Sequence, residues 1–172
     1  EIVDKRLTVH LPRTYSILAC PHRTEKRFSY YILIELLRDV VTIDKLSATP
    51  GQNDPYSIMI QAFHTLHLLH DLYKLSHNDL HPGNVLVAKL TPDVVNARGE
   101  RLIDYDYWEY RFRGKSLYVP RTDRIIKIID FGLSCKFKGQ VVCSHNIAMK
   151  DFYVVPPPFN SANDVLMLAQ TL

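Results

Sequence analysis

The chain has 172 residues, 47% of them hydrophobic and 23% charged, which is the composition of a globular domain and excludes a disordered or fibrous chain. A formal charge of +3 is too mild to point to nucleic acid as the main partner. The longest apolar run, Tyr30 to Leu37, is interrupted by Glu35 and far too short to cross a bilayer, and the amino terminus lacks a charged-then-apolar signal pattern, so a soluble, non-secreted protein without a membrane span is expected.

Tyr15 to Cys20 and Ser29 to Glu35 read as two strands, joined as an antiparallel pair through the polar turn Pro21 to Arg27. Thr49 to Pro55 gathers helix breakers and then a helix start, with Asn53 or Asp54 suited to the cap and Pro55 to the first turn. From there Ile58, Ala62, Leu66, Leu69 and Tyr73 recur at three- and four-residue steps through Leu75. That spacing predicts one apolar stripe along a helix of about five turns. Beyond Asn84 come a strand over Val85 to Ala88, a polar stretch from Thr91 to Glu100, and a hairpin. The hairpin strands are Tyr107 to Phe112 and Ser116 to Val119, turning at Arg113-Gly114-Lys115. Ile125 to Ile129 is a further strand, an irregular segment runs to Pro158, and a helix begins near Ala162, capped by Asn160 or Ser161.

Two short segments carry the chemistry. The first is His77-Asn78-Asp79-Leu80-His81-Pro82-Gly83-Asn84, followed by an apolar strand; the second is Ile128-Ile129-Asp130-Phe131-Gly132, which ends one. Phosphoryl transfer from a magnesium nucleotide needs a carboxylate to orient the attacking hydroxyl, and an amide and a second carboxylate to hold the metal on the phosphates. Asp79, Asn84 and Asp130 supply that set in that order.

Together the two segments resemble the catalytic loop and the metal-binding loop of the protein-kinase superfamily. The resemblance implies a partial kinase-like fold of the α+β class, with residues 1–37 as the end of a small lobe and its hinge, 38–172 as an incomplete large lobe, and an inserted hairpin over about 91–124. It implies ATP and Mg2+ as cofactors, Asp79 as catalytic base, and Asn84 and Asp130 as the Mg2+ and nucleotide ligands. His77 is then a structural residue bonded to backbone near the second loop. Ile32 to Glu35 resembles the strand that leads into the hinge, where backbone groups around Glu35 and Leu37 would bond adenine. Asp164, in Asn163-Asp164-Val165-Leu166, resembles the helix aspartate that braces the catalytic loop from beneath.

The departures matter as much. Asn78 stands where many regulated kinases have an arginine that pairs with a phosphate on the activation segment, and a neutral amide does not give that contact. His81 replaces a lysine common in Ser/Thr kinases, and is expected to touch the transferring phosphate only weakly unless protonated. The inserted hairpin, the Leu117 to Pro120 segment that precedes the second loop, and the His77 to Asn84 loop are similar to the Ser/Thr kinases of large DNA viruses, of the iridovirus, ascovirus and poxvirus virion type. That implies a protein substrate and a place in the host cytoplasm or the virion. The Gly-rich phosphate loop, the strand lysine and the helix glutamate of a kinase should precede Tyr15, where only fourteen residues stand. A fragment of a longer enzyme, or a degenerate gene, is therefore expected, with poor ATP binding and slow or no transfer by this piece alone. A small-molecule kinase, favoured by His81-Pro82-Gly83, and a pseudokinase or binding module are the alternative functions.

Other features carry less. Cys20, Cys135 and Cys143 have no metal-ligand spacing and read as unremarkable thiols of a reducing compartment. His64, His67 and His70 drift around the predicted helix and do not converge on one ion. Arg111, Arg113, Lys115, Arg121 and Arg124 are read as a solvated hairpin face.

Overall fold

The apolar stripe of the long helix decides where the main sheet lies. In the computed structural model, which describes residues 8–22, 28–46, 55–137, 142–143 and 161–170, this helix, α1, spans Pro55–His67 and continues as a π-helical turn over Leu68–Leu72. Ile58, Ala62, Leu66 and Leu69 all lie on the buried side. They pack on Val85, Val87, Ile126 and Ile128, alternate residues of strands β5, Val85–Lys89, and β8, Arg124–Ile128. Burial of each large aliphatic side chain here contributes roughly 1.5–3 kcal/mol.

Strand β5 is the middle of a three-stranded antiparallel sheet, with β3, Val41–Thr42, on one side and β8 on the other. The far edge of β8 is closed by polar groups. Gln61, fully buried on α1, accepts from the Ile126 N–H at 2.9 Å, and the His10 carbonyl accepts from the Ile128 N–H at 2.9 Å. An edge that would template another chain is thereby covered.

Strands β1, Thr14–Pro21, and β2, Phe28–Ile34, form an antiparallel hairpin whose apolar side chains, Tyr15, Ile17, Tyr30 and Ile32 among them, remain exposed. Short strands β4, Leu75–Ser76, β9, Cys135–Lys136, and β10, Val142–Cys143, make a third sheet. The last helix, α2, covers Ser161–Ala169 and sends Leu168 into the main core. The fold class is α+β. No helix among the described residues is long and apolar enough to cross a membrane. The cap positions Asn53, Asp54 and Asn160 and most of the segment before Pro158 lie outside the described residues.

The predicted hairpin is present as β6, Tyr107–Phe112, and β7, Lys115–Pro120. Its two-residue turn has positive φ at both Arg113 (46°) and Gly114 (79°), the twist that matches flanking strands. Trp108, Tyr110 and Val119 form a second core with Leu90. The hairpin docks on α1 through rings: His64 meets Tyr110 and Phe112 edge-on at 5.0 and 5.4 Å, and His67 lies 5.4 Å from Phe112. His64 and His67 thus both turn to hairpin rings and share Phe112, and among the described residues no group of three His, Cys, Asp or Glu side chains is placed to hold a metal. The hairpin cations are mostly paired, Arg111 with Glu109 and Arg113 with Asp71.

The thiols differ from the expectation. Cys135 and Cys143 are disulfide-bonded, because the antiparallel pairing of β9 and β10 sets them directly opposite each other. Cys20 is free and exposed. Cross-strand register, which the spacing of the cysteines does not disclose, made the difference.

Burial lowers the pKa of His10 to about 3 and of His64 to about 4, each helped by a neighbouring imidazole, while Lys127 also repels a proton from His10. His10 bonds the Tyr110 hydroxyl and the Ile126 carbonyl through its two ring nitrogens, so the docking of the hairpin at Tyr110 depends on two neutral rings. A histidine with a lowered folded-state pKa contributes stability in full above its unfolded pKa of about 6.5, and loses it as pH falls toward the folded value. Each of the two should withdraw about 1.4 kcal/mol per pH unit across that window. Urea unfolding followed by the emission of Trp108, the single tryptophan, should therefore show a falling midpoint between pH 7 and 5, and His64→Phe should flatten that dependence.

Candidate functional site

The loop from His77 to Asn84 is held by a carboxylate with no exposure to solvent. Asp164, on α2, accepts from the backbone N–H groups of His77 and Asn78 at 2.8 Å each, and from His70 Nε2 at 2.8 Å. Burial alone would raise its pKa, but these three donors prevail and hold it below the usual carboxylate range. His70 reaches it from the π-helical turn, where the widened backbone redirects the side chain. Nothing in the spacing of His70 discloses this partner, which lies 94 residues away.

His77 is fully buried and links both loops. Its Nε2 donates to the Ile129 carbonyl at 2.9 Å, and its Nδ1 accepts from the Asp79 N–H at 3.3 Å. That pairing needs the neutral tautomer protonated at Nε2. Burial lowers its pKa, so the neutral form is the stable one. Its ring also contacts Phe131, centroid to centroid at 4.8 Å.

Asn84 is buried at the end of the loop and commits only one end of its side chain. Nδ2 donates to the Asp79 carbonyl at 2.8 Å, so Oδ1 is left without a hydrogen bond among the described residues. Its backbone carbonyl accepts from the Ile129 N–H at 3.0 Å, extending the β5–β8 ladder by one rung and setting Asp130 immediately beyond. Asp130 has a left-handed backbone, φ 59°, and its Oδ1 accepts from the Gly132 N–H at 3.0 Å. Asn78 is also left-handed, φ 65°, a conformation that Asn and Asp tolerate better than most residues. Its amide donates to the Leu133 carbonyl at 3.1 Å, and the Ser134 hydroxyl donates to the His77 carbonyl at 3.4 Å, so the segment after Gly132 is sewn to the first loop.

The Asp79 carboxylate makes no hydrogen bond among the described residues and is partly exposed. His81 is engaged locally: Nδ1 accepts from the Gly83 N–H at 3.1 Å and caps the 3-10 turn Pro82–Asn84. A Cβ at Gly83 would stand 2.9 Å from that ring, so the glycine is required by the close approach. Only Nε2 of His81 remains to meet an anion.

Glu35 and Leu37 line an open groove of about 960 Å³, with Lys127, Ile125, Ala88 and Arg13. The Glu35 N–H is already committed to the Arg13 carbonyl at 2.7 Å, but both backbone groups of Leu37 carry no hydrogen bond among the described residues. The Glu35 side chain binds Lys127 Nζ at 2.8 and 3.0 Å. Asp79, Asn84 and Asp130 are not part of this groove's wall. Lys127 precedes Asp130 by three residues, roughly 10 Å at the rise of an extended strand.

The free oxygens of Asn84 and Asp130, beside the ends of the adjacent strands β5 and β8, and of Asp79 in the loop that precedes β5, are hard donors of the type Mg2+ prefers. No protein-family model and no curated protein matches the chain.

Removing the Asp164 side chain would leave two buried N–H groups and an imidazole without their acceptor. Asp164→Ala should therefore lower unfolding stability by about 3–5 kcal/mol in urea, and Asp164→Asn, which keeps one carbonyl oxygen, by less.

Proposed function

We propose that the chain carries the acceptor-side and metal-side parts of a kinase-like active site, for transfer of a phosphoryl group from Mg-ATP to Ser/Thr hydroxyls of a protein. One observation carries this reading. The Asn84 side chain is tethered through Nδ2 to the Asp79 backbone, which leaves its oxygen without a hydrogen bond among the described residues, beside the strand that leads to Asp130. A structural asparagine would be expected to use both ends.

In this reading Asp79 accepts the proton of the attacking hydroxyl and orients its oxygen. Asn84 Oδ1 and the Asp130 carboxylate hold Mg2+, which when bound neutralises charge on the phosphates. Leu37 offers a backbone N–H and C=O to the adenine edge at the groove, while apolar neighbours such as Ile125 and Ala88 cover its face. Neutral His77 keeps the two loops in register without adding charge. Asn78 supports regulation other than phosphorylation of the following segment, because its amide holds that segment through the Leu133 carbonyl. The viral Ser/Thr kinase branch is the one that the loop sequences and the hairpin fit best.

Titration of the chain with ATP, read by ligand-observed NMR at millimolar ligand, tests the proposal. Saturable binding strengthened by Mg2+ is expected. Asp130→Asn should remove that strengthening, and Asp79→Asn should leave binding intact while lowering whatever radiolabelled phosphate transfer the chain supports by roughly 10²–10⁴-fold. Binding indifferent to Mg2+ and to Asp130 would exclude this function.

A further inference from the structure

Lys127 is a charged side chain in a place where charge is costly. It is 5% exposed, next to the end of β8, and taking an ammonium out of water is costly unless a partner compensates. Both carboxylate oxygens of Glu35 meet its Nζ, and the Leu11 carbonyl adds a longer contact at 3.5 Å. Glu35 Oε2 in turn accepts from the Arg13 N–H at 3.0 Å. One ion pair therefore joins three separate stretches of chain: the strand that leads to Asp130, the residue that follows β2, and the segment that leads into β1.

A buried pair of this type is poor evidence of added stability, since apolar residues of similar volume often serve as well or better. What it supplies is a fixed distance. The β1–β2 hairpin is not hydrogen-bonded to the β3–β5–β8 sheet as a ladder among the described residues; this pair fastens its Glu35 end to β8 at the groove, while the His10 bonds to Ile126 and Ile128 hold the segment before β1. Leu37, with its free backbone groups, lies two residues beyond Glu35 and lines the same groove as Lys127.

We infer that the Lys127–Glu35 pair is a positioning device that fixes the base-binding end of the nucleotide site relative to its metal-binding end. The inference rests on the phosphoryl-transfer reading and adds residues to it. Neither side chain touches the reacting atoms. Lys127 acts through Glu35 on the backbone at Leu37, and through the strand on Asp130.

The test separates the two ends of the ligand. Binding of Mg-ATP and of Mg-triphosphate, which has the phosphates but no base, is measured by the same NMR titration on the unaltered chain and on Lys127→Met, Glu35→Gln and the double variant. Lys127→Met should weaken Mg-ATP about tenfold, the size of one coupled contact between neighbouring residues, and leave Mg-triphosphate unchanged. Glu35→Gln should do the same, and the double variant should lose no more than either single one. Unchanged triphosphate binding shows that the variants fold. Should Lys127→Met fail to fold, the near-isosteric Glu35→Gln carries the same expectation alone. Equal loss of both ligands, or no loss of Mg-ATP, would overturn the inference while leaving the phosphoryl-transfer reading intact. Absence of any Mg-dependent binding by the unaltered chain would overturn both.

Discussion

The site depends on one antiparallel ladder. Strand β5 begins at the residue after Asn84, and β8 ends two residues before Asp130, so pairing of Val85 with Ile128 carries both loops to the same end of the sheet. The Ile129 N–H bonded to the Asn84 carbonyl continues that pairing past the strands proper. A slip of one residue would turn every side chain of β8 to the other face. The apolar contacts of Val85, Val87, Ile126 and Ile128 with α1 forbid it. The register that packs the core is thus the same register that places the candidate ligands.

Around this ladder the chain handles buried charge in two ways. Asp164 is satisfied by donors on all sides, two of them backbone N–H groups, and so it orders a loop whose backbone takes a left-handed turn at Asn78. Lys127 pairs with the Glu35 carboxylate, and the pair orders the relation between one sheet and a hairpin. In both cases the charge fixes position where hydrophobic contact, which is not directional, would leave it loose. His77 does comparable work without charge, its two ring nitrogens satisfied only as the neutral tautomer.

The β6–β7 hairpin is tied to the rest of the fold by rings. His64, His67, Tyr110 and Phe112 form ring contacts with α1, and the Tyr110 hydroxyl also bonds His10 Nε2. Burial of neutral imidazoles makes that attachment sensitive to acid, and the Arg113–Asp71 ion pair adds a tie from the hairpin turn to the π-helical turn.

Local elements were readable from the residues. The Ile58 to Leu69 stripe, the Val85 to Ala88 run and the Arg113-Gly114 turn each encode their own geometry through periodicity or φ preference, and the structure gives α1, β5 and the β6–β7 hairpin where those signals lie. The chemical types at Asp79, Asn84 and Asp130 were equally legible, because a carboxylate or an amide brings its chemistry wherever it sits. What the sequence left open was partnership. The cysteine pair, the His70 to Asp164 bond and the Lys127 to Glu35 pair join residues 8, 94 and 92 positions apart. No periodic signal links such positions. Only the closure of the sheets and the desolvation that comes with it decide which buried polar group must meet which, since each one left without a partner would cost the fold more than its neighbours could return.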